Sequence, residues 1–380
     1  MSTHLFVLGH TPQLSLAELR SLLPKQELET WSNHLVATSL LKDQQADQLQ
    51  EILGGVFKIL KIVMPLPSAK DEMLSEITQH LKNFKGKILF GLTFFPKSNQ
   101  LLSAADIKNS LKVIGKKSRY QQTDDWGLST AILSHEPDAL DLFVIENSGQ
   151  HYLAQTCAYQ NLEAWVKRDR KKPYSSGKRG MLPPKLARVL VNLGLGQLDM
   201  SPEHQSVLYD PFCGTGTVLI EGLLRGCEVI GSDSDSEAVA GTIKNLYWLE
   251  DQLEQKVKYQ VFQGDVAHVT KHLWEVKPNL IVTEPFMGKP NPKPSELKNI
   301  FTGLRSLYLG AFKAWAQILD SQAVVVIVFP QVRAQNKEYN LLELIDKIAG
   351  YGYTLQVEPI DYGYQKSVVK RQILVFKYQK

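Results

Sequence analysis

Asp210-Pro211-Phe212-Cys213-Gly214-Thr215-Gly216-Thr217 ties a strand-ending carboxylate to a glycine turn and then to the start of a helix. Ser206 to Tyr209, just before it, is a short β-prone run. Val218 to Leu224, just after it, continues as an apolar helix that Gly226 stops. Gly214 and Gly216 permit a tight turn and close approach of the backbone to a ligand. The order strand, glycine turn, helix predicts an α/β sheet that binds a ligand at the carboxyl end of this strand.

Two ligand classes use such a turn. A dinucleotide site needs the third glycine of G-x-G-x-x-G, where Leu219 stands here, and a turn without negative charge to receive a pyrophosphate. Asp210 conflicts with the second requirement. S-adenosylmethionine has no phosphate and presents a cationic ammonium and sulfonium, so the same carboxylate favours it. Asp210, Phe212, Gly214, Thr215, Gly216 and Thr217 are therefore the expected contacts of this cofactor.

Further acidic positions fall where that ligand needs them. Glu228 to Gly231 reads as the next strand and delivers Asp233, whose carboxylate can accept both ribose hydroxyls, with Ser234 beside it. Ser234 and Glu237 form an S-x-x-E capping box for the following helix. Tyr259 to Gln263 reads as a third strand ending at Gly264 and Asp265. Asp265 is placed to accept from the adenine amino group, with Val266 adjoining it. Leu280 to Val282 is an apolar strand that ends in Thr283-Glu284-Pro285-Phe286-Met287-Gly288. Methylating an exocyclic amine needs an acceptor for its N–H bonds, a backbone made rigid by proline, and an aromatic face for a flipped base. Thr283, Glu284, Pro285 and Phe286 are the catalytic candidates.

From Asp210 onward the chain resembles a class I, Rossmann-like methyltransferase domain. As a whole it resembles the THUMP-domain family of tRNA guanine-N2 methyltransferases that modify position ten. The likeness is carried by His4 to Gly9 with Leu14 to Leu19, by Leu111 to Arg119, by Arg168-Asp169 with Gly180 to Ala187, and by the motifs above. It implies that Asp210, Gly214, Gly216, Asp233 and Asp265 contact the methyl donor. One departure stands out. The family usually carries Asp or Asn followed by Pro-Pro-Tyr at the catalytic strand end, whereas Thr283 and Glu284 occupy the first two positions here. A threonine hydroxyl holds no lasting charge near neutral pH, and Glu284 is the neighbouring carboxylate able to replace it.

The 380 residues suffice for two or three domains, and 43% apolar with 22% charged residues excludes a disordered chain. A net charge of +4 permits a nucleic-acid partner. Three cysteines without paired spacing fit reduced thiols in the cytoplasm, and no metal site is expected, His268 and His272 lacking a third ligand. The longest aliphatic segment, Ala323 to Phe329, is too short to span a bilayer, and the N-terminus lacks the plan of a secretion signal.

The expected organisation is a ferredoxin-like α+β domain over 1–65, a THUMP-like RNA-binding domain over 66–160, a basic linker over 161–182 and a Rossmann-like methyltransferase domain over 183–380 that ends in an antiparallel hairpin, Thr354 to Glu358 with Ser367 to Phe376. The first helix is placed at Ser15, with a Ser15–Glu18 capping box and a stop at Pro24, and a strand at Thr130 to Leu133. Lys108, Lys112, Lys116, Lys117 and Arg119 are cations without an intervening acid, suited to tracking phosphates. Residues 167–188 hold nine Lys or Arg against the single Asp169, and Lys167, Arg168 and Arg170 are expected to guide RNA, while Lys289 and Lys293 in the proline-rich loop after the catalytic strand are expected to hold the backbone of the flipped nucleotide. The expected activity is S-adenosylmethionine-dependent formation of N2-methylguanosine in tRNA, with any protein partner undetermined. A DNA amino-methyltransferase and an inactive RNA-binding relative are the alternatives.

Overall fold

A computed structural model describes residues 3–23, 27–39, 41–176, 181–198, 205–271, 276–363 and 367–380. Pro24, Lys178, Arg179, Gly180 and His272, all used in the sequence reading, lie outside the described residues. The chain forms two compact units, residues 1–12 with 23–164 and residues 13–22 with 165–380.

The first unit is built on one sheet of β1 (His4–Leu8), β2 (Glu29–Ser32), β3 (Leu35–Thr38), β4 (Val56–Leu66), β5 (Ile88–Phe95), β6 (Ser118–Tyr120), β7 (Leu140–Asn147) and β8 (Gln150–Tyr159). Their order is β2-β3-β1-β4-β8-β7-β5-β6. The long strand β4 pairs antiparallel with both β1 and β8, so segments 1–65 and 66–160 share a single sheet. Met73, Ile77 and Leu81 of the Lys70–Lys82 helix and Ile107 and Leu111 of the Ala104–Val113 helix pack with Phe90 and Leu142 of that sheet. The strand expected at Thr130 to Leu133 is instead the helix Thr130–His135. Ser129 caps it by accepting the Ile132 N–H at 3.3 Å, a local bond that outweighs the β-branched content.

The second unit contains β9 (Val207–Asp210), β10 (Glu228–Asp233), β11 (Tyr259–Gln263), β12 (Leu280–Thr283), β13 (Val324–Ala334), β14 (Lys337–Tyr339), β15 (Tyr353–Leu355), β16 (Ile360–Tyr362) and β17 (Val369–Tyr378). The sheet order is β11-β10-β9-β12-β13-β17-β15, with β14 added to β13 and β16 to β17. β9 to β13 run parallel, and β17 is antiparallel to β13. The hairpin partners of β17 are shorter than expected, at 353–355 and 360–362. Leu208, Leu280, Val324 and Val326 face one layer of helices, while Tyr209, Ile281, Val325 and Ile327 face the Pro294–Ile318 helix on the other side. That two-residue alternation buries both faces. From β9 the chain winds one way through β10 and β11, then returns to β12 on the opposite side. The strand order thus reverses between β9 and β12, where open α/β sheets bind ligands.

Two helix starts differ from the sequence reading. The first helix begins at Pro12, so Ser15 and Glu18 lie inside it, both buried, and Glu18 accepts from Asn192 Nδ2 at 2.6 Å. The helix after β10 begins at Ser236 with Asp235, not Ser234, as its cap. Both cases follow from a polar residue nearby that serves the same role or finds a buried partner.

The missing third glycine has a structural counterpart. Leu219, which stands in its place on the Thr217–Leu223 helix, faces Gly231 of β10, where an added Cβ would lie 2.5 Å from Leu219 Cδ1. Close helix-to-strand packing is retained with the glycine moved to the strand. Gly231→Ala is expected to cost about 1–3 kcal/mol through overpacking, read as a lower urea midpoint with unchanged slope. An unaltered midpoint would show that the helix retreats freely.

Candidate active site

The ends of β9 and β12 meet at the reversal point. Thr283 Oγ1 donates to Asp210 Oδ1 at 2.7 Å, and the Phe212 N–H donates to the same oxygen at 3.2 Å. Thr283 is fully buried and Asp210 nearly so. Burial pushes the Asp210 carboxyl up to about 7, the two donated hydrogen bonds oppose that shift, and the negative charges of Asp233 and Glu284 add to it. Among the described residues no Lys, Arg or His pairs with Asp210. A buried carboxylate of this kind lacks a cation.

The glycine turn is fixed from three sides. Gly214 and Gly216 take φ of 53° and 74°, and a Cβ on Gly216 would meet Thr242 Cγ2 at 2.9 Å. Thr242 Oγ1 donates to Gly214 O at 2.9 Å, and Asn245 Nδ2 donates to Thr215 O at 2.8 Å. Asp233 accepts the Gly214 N–H on Oδ2 and the Asp235 N–H on Oδ1, each at 3.0 Å. It is half-buried, and each oxygen retains a lone pair for a ligand hydroxyl. Asp265 is exposed and accepts the Ala267 N–H at 2.9 Å. Val266 beside it is buried, and Ser234 is exposed.

The loop after β12 presents the expected aromatic residue. Phe286 is 62% exposed, whereas Pro285 is buried, and Tyr308 Oη donates to Phe286 O at 3.4 Å. The phenyl ring therefore stands in water at the strand end rather than in the core. Glu284 is held by Arg371 of β17, with Nε to Oε1 at 2.6 Å and Nη2 to Oε2 at 3.5 Å. Arg371 was missed by sequence reasoning because 87 positions separate the partners.

The residues expected to contact RNA differ in their surroundings. Arg168 is committed internally: its Nε donates to Glu221 Oε1 at 2.8 Å, while Arg188 Nε holds Glu221 Oε2 at 2.8 Å, and Arg168 lies 4.2 Å from the Trp165 ring centroid. Its guanidinium is thus drawn towards a buried glutamate on the turn's own helix. Lys167, Arg170, Lys289 and Lys293 are exposed, with Lys289 paired to Glu296. The expected linker is also ordered where described. Lys172 is buried, and the Tyr174 backbone exchanges two hydrogen bonds with Asn245, at 2.8 and 2.9 Å.

In the first unit, Lys108, Lys112, Lys117 and Arg119 are exposed, and Lys116 donates to Phe84 O. Lys108, Lys112, Lys116 and Lys117 line a concavity of ≈ 490 Å³ together with Lys87. The parallel pairing of β5 with β6 brings Lys87 to this group, since Ile88 lies opposite Ser118. Among the described residues no cluster of His, Cys, Asp and Glu is placed to hold a metal, and no helix is long and apolar enough to cross a membrane.

Comparison with known proteins places this geometry in context. A family model described as an RMKL-like methyltransferase domain matches residues 174–337. A tRNA (guanine(10)-N2)-dimethyltransferase of Methanocaldococcus jannaschii is 38% identical over 128 residues, a stretch covering 33% of this chain and 34% of that protein. A probable tRNA (guanine(10)-N2)-dimethyltransferase of Methanothermococcus thermolithotrophicus is 38% identical over 122 residues, covering 32% of this chain and 70% of that one. The match thus spans about a third of the first relative and over two thirds of the second. Among solved structures, TrmN from Thermus thermophilus covers 99% of both chains with a TM-score of 0.57 at 16% identity. A possible methylase from Clostridium difficile 630 covers 100% of this chain and 98% of its own, with a TM-score of 0.54 at 13% identity. The last two likenesses concern the fold.

Proposed function

This chain belongs to the tRNA guanine-N2 methyltransferase family, and on that premise we propose that it transfers a methyl group from S-adenosylmethionine to the N2 amine of a guanine in tRNA, at position ten. The observation that carries the reading is the reversal point itself: a buried carboxylate on β9 with no cation beside it among the described residues, bonded to the end of β12, one short loop from an exposed phenylalanine. The same carboxylate fits a cationic ligand and conflicts with a diphosphate.

In this proposal Asp233 holds the ribose hydroxyls, Asp265 and Val266 border the adenine, and Asp210 faces the positive end of the donor. Phe212, Ser234 and the Gly214 to Thr217 turn complete the seat. When bound, the donor supplies an electrophilic methyl group. Phe286 stacks the flipped guanine, and the rigid Pro285 backbone limits where the ring can lie. Thr283 has its proton committed to Asp210, so it orients Asp210 and leaves Glu284 to accept the N–H of the guanine amine and its proton. The exposed lysines and Arg119 of the first unit, with Lys167, Arg170, Lys289 and Lys293, are the proposed backbone contacts.

Thr283→Val removes a hydrogen bond that favours the ionised form of Asp210. The pH at which donor affinity reaches half its maximum is expected to rise from near 7 by roughly 1–2 units, measured by calorimetry across pH 6–9. An unmoved midpoint would disconnect Thr283 from donor binding. The activity itself is tested by tritium transfer from labelled S-adenosylmethionine. Label is expected in tRNA; label in duplex DNA alone would select the DNA amino-methyltransferase. Binding of tRNA without any transfer would select the inactive relative.

A further inference from the structure

We infer that Lys172 is a donor-binding residue, its ammonium recognising the carboxylate at the amino-acid end of the methyl donor. This rests on the reading of the crevice as a seat for S-adenosylmethionine. Lys172 Nζ donates to Thr217 Oγ1 at 2.8 Å and to Thr215 Oγ1 at 3.2 Å, and only 6% of the residue is exposed. An ammonium has three N–H donors and no acceptor. Two of them meet neutral hydroxyls of the glycine turn.

Among the described residues no carboxylate lies within ion-pairing distance of Lys172. Asp169 and Glu221 act on it only from further away, and burial lowers its ammonium to about 8. Glu221 is already shared by Arg168 and Arg188. A buried cation without a paired anion is unfavourable, and such groups mark places where a ligand supplies the missing charge. The position is also rigid. Two residues on, Tyr174 is bonded at both backbone groups to Asn245, and its ring lies so close to Gly241 that an added Cβ there would be 2.1 Å from Tyr174 Cδ1.

Among the described residues one turn therefore carries two charges of opposite sign without an ionic partner, Asp210 before it and Lys172 against its far end. The amino-acid end of S-adenosylmethionine is a zwitterion and offers the complement to both. Neutral hydroxyls at Thr215 and Thr217 hold the ammonium in place without neutralising it. A purely structural lysine would be served as well by a carboxylate in either position.

The test compares two ligands on the full chain by calorimetry: S-adenosylmethionine and its decarboxylated form, which keeps the sulfonium and the amine. The unsubstituted protein is expected to prefer the carboxylated ligand by about 10- to 100-fold. Lys172→Met should abolish that preference by weakening S-adenosylmethionine alone, while Lys172→Arg retains most of it. Equal weakening of both ligands by Lys172→Met, or no preference in the unsubstituted protein, would overturn the assignment and leave Lys172 a prop for the turn. Binding of neither ligand by the unsubstituted protein would instead remove the methyl-donor reading beneath it.

Discussion

Glu284→Gln is expected to lower the rate of methyl transfer by about 10²- to 10⁴-fold while leaving donor affinity unchanged at about pH 8 and above, where Asp210 is ionised with or without the neighbouring charge. On the proposed reading three groups at the end of β12 face the guanine amine, and their chemistry differs. The Thr283 hydroxyl proton is given to Asp210, so the side chain offers at most a weakly basic oxygen. Pro285 contributes only a backbone carbonyl. Glu284 carries the one charged acceptor, and Arg371 fixes its position from β17, where it pairs in register with Tyr362. Glutamine preserves shape and removes the charge, so the loss appears in single-turnover rate rather than in binding. A nearly unchanged rate would assign the acceptor role to the Pro285 backbone, and a lost donor affinity would place Glu284 in the cofactor seat.

Asp210→Asn is expected to stabilise the free protein at pH 8 and to abolish its affinity for the donor. The folded carboxyl titrates near 7 because of burial, against about 3.9 for an unfolded aspartate. Between those values the native state holds a proton that the unfolded state has released. Stability therefore falls as pH rises from about 4 to 7, by up to roughly 4 kcal/mol, and stays reduced above that. Asparagine carries no charge and escapes this loss. Urea unfolding at pH 5 and pH 8 should show the original chain losing stability across the interval and the variant losing much less. Calorimetry should show donor affinity in the original chain weakening about tenfold per unit below pH 7, as ionised Asp210 becomes scarce. Equal stability of the two proteins at pH 8, or retained donor binding in the variant, would refute the role of Asp210 as a buried anion awaiting a cation.

The sequence disclosed those features that depend on neighbours along the chain. Asp210 ending a strand, Gly214 and Gly216 in the left-handed region, the successive strands of the second unit and the exposed Phe286 all follow from local pattern. Features set by distant partners were not legible. Asp210 and Thr283 are 73 positions apart, Glu284 and Arg371 87. A run of cations reads as a solvated stretch, yet Glu221, buried on the helix behind the turn, draws Arg168 and Arg188 inward, and two threonines draw in Lys172. Ser15 and Glu18 carry the spacing of a capping box, but Pro12 starts the helix a turn earlier and Asn192 claims the glutamate. Local propensity lost in each case to a buried polar group whose partner lies elsewhere in the fold.

The most direct test is nucleoside mass spectrometry of tRNA that lacks this modification, incubated with the full chain and S-adenosylmethionine. N2-methylguanosine should accumulate and map to position ten. A methyl group found on another base, or no methylated guanosine despite saturating donor, would contradict the proposed function.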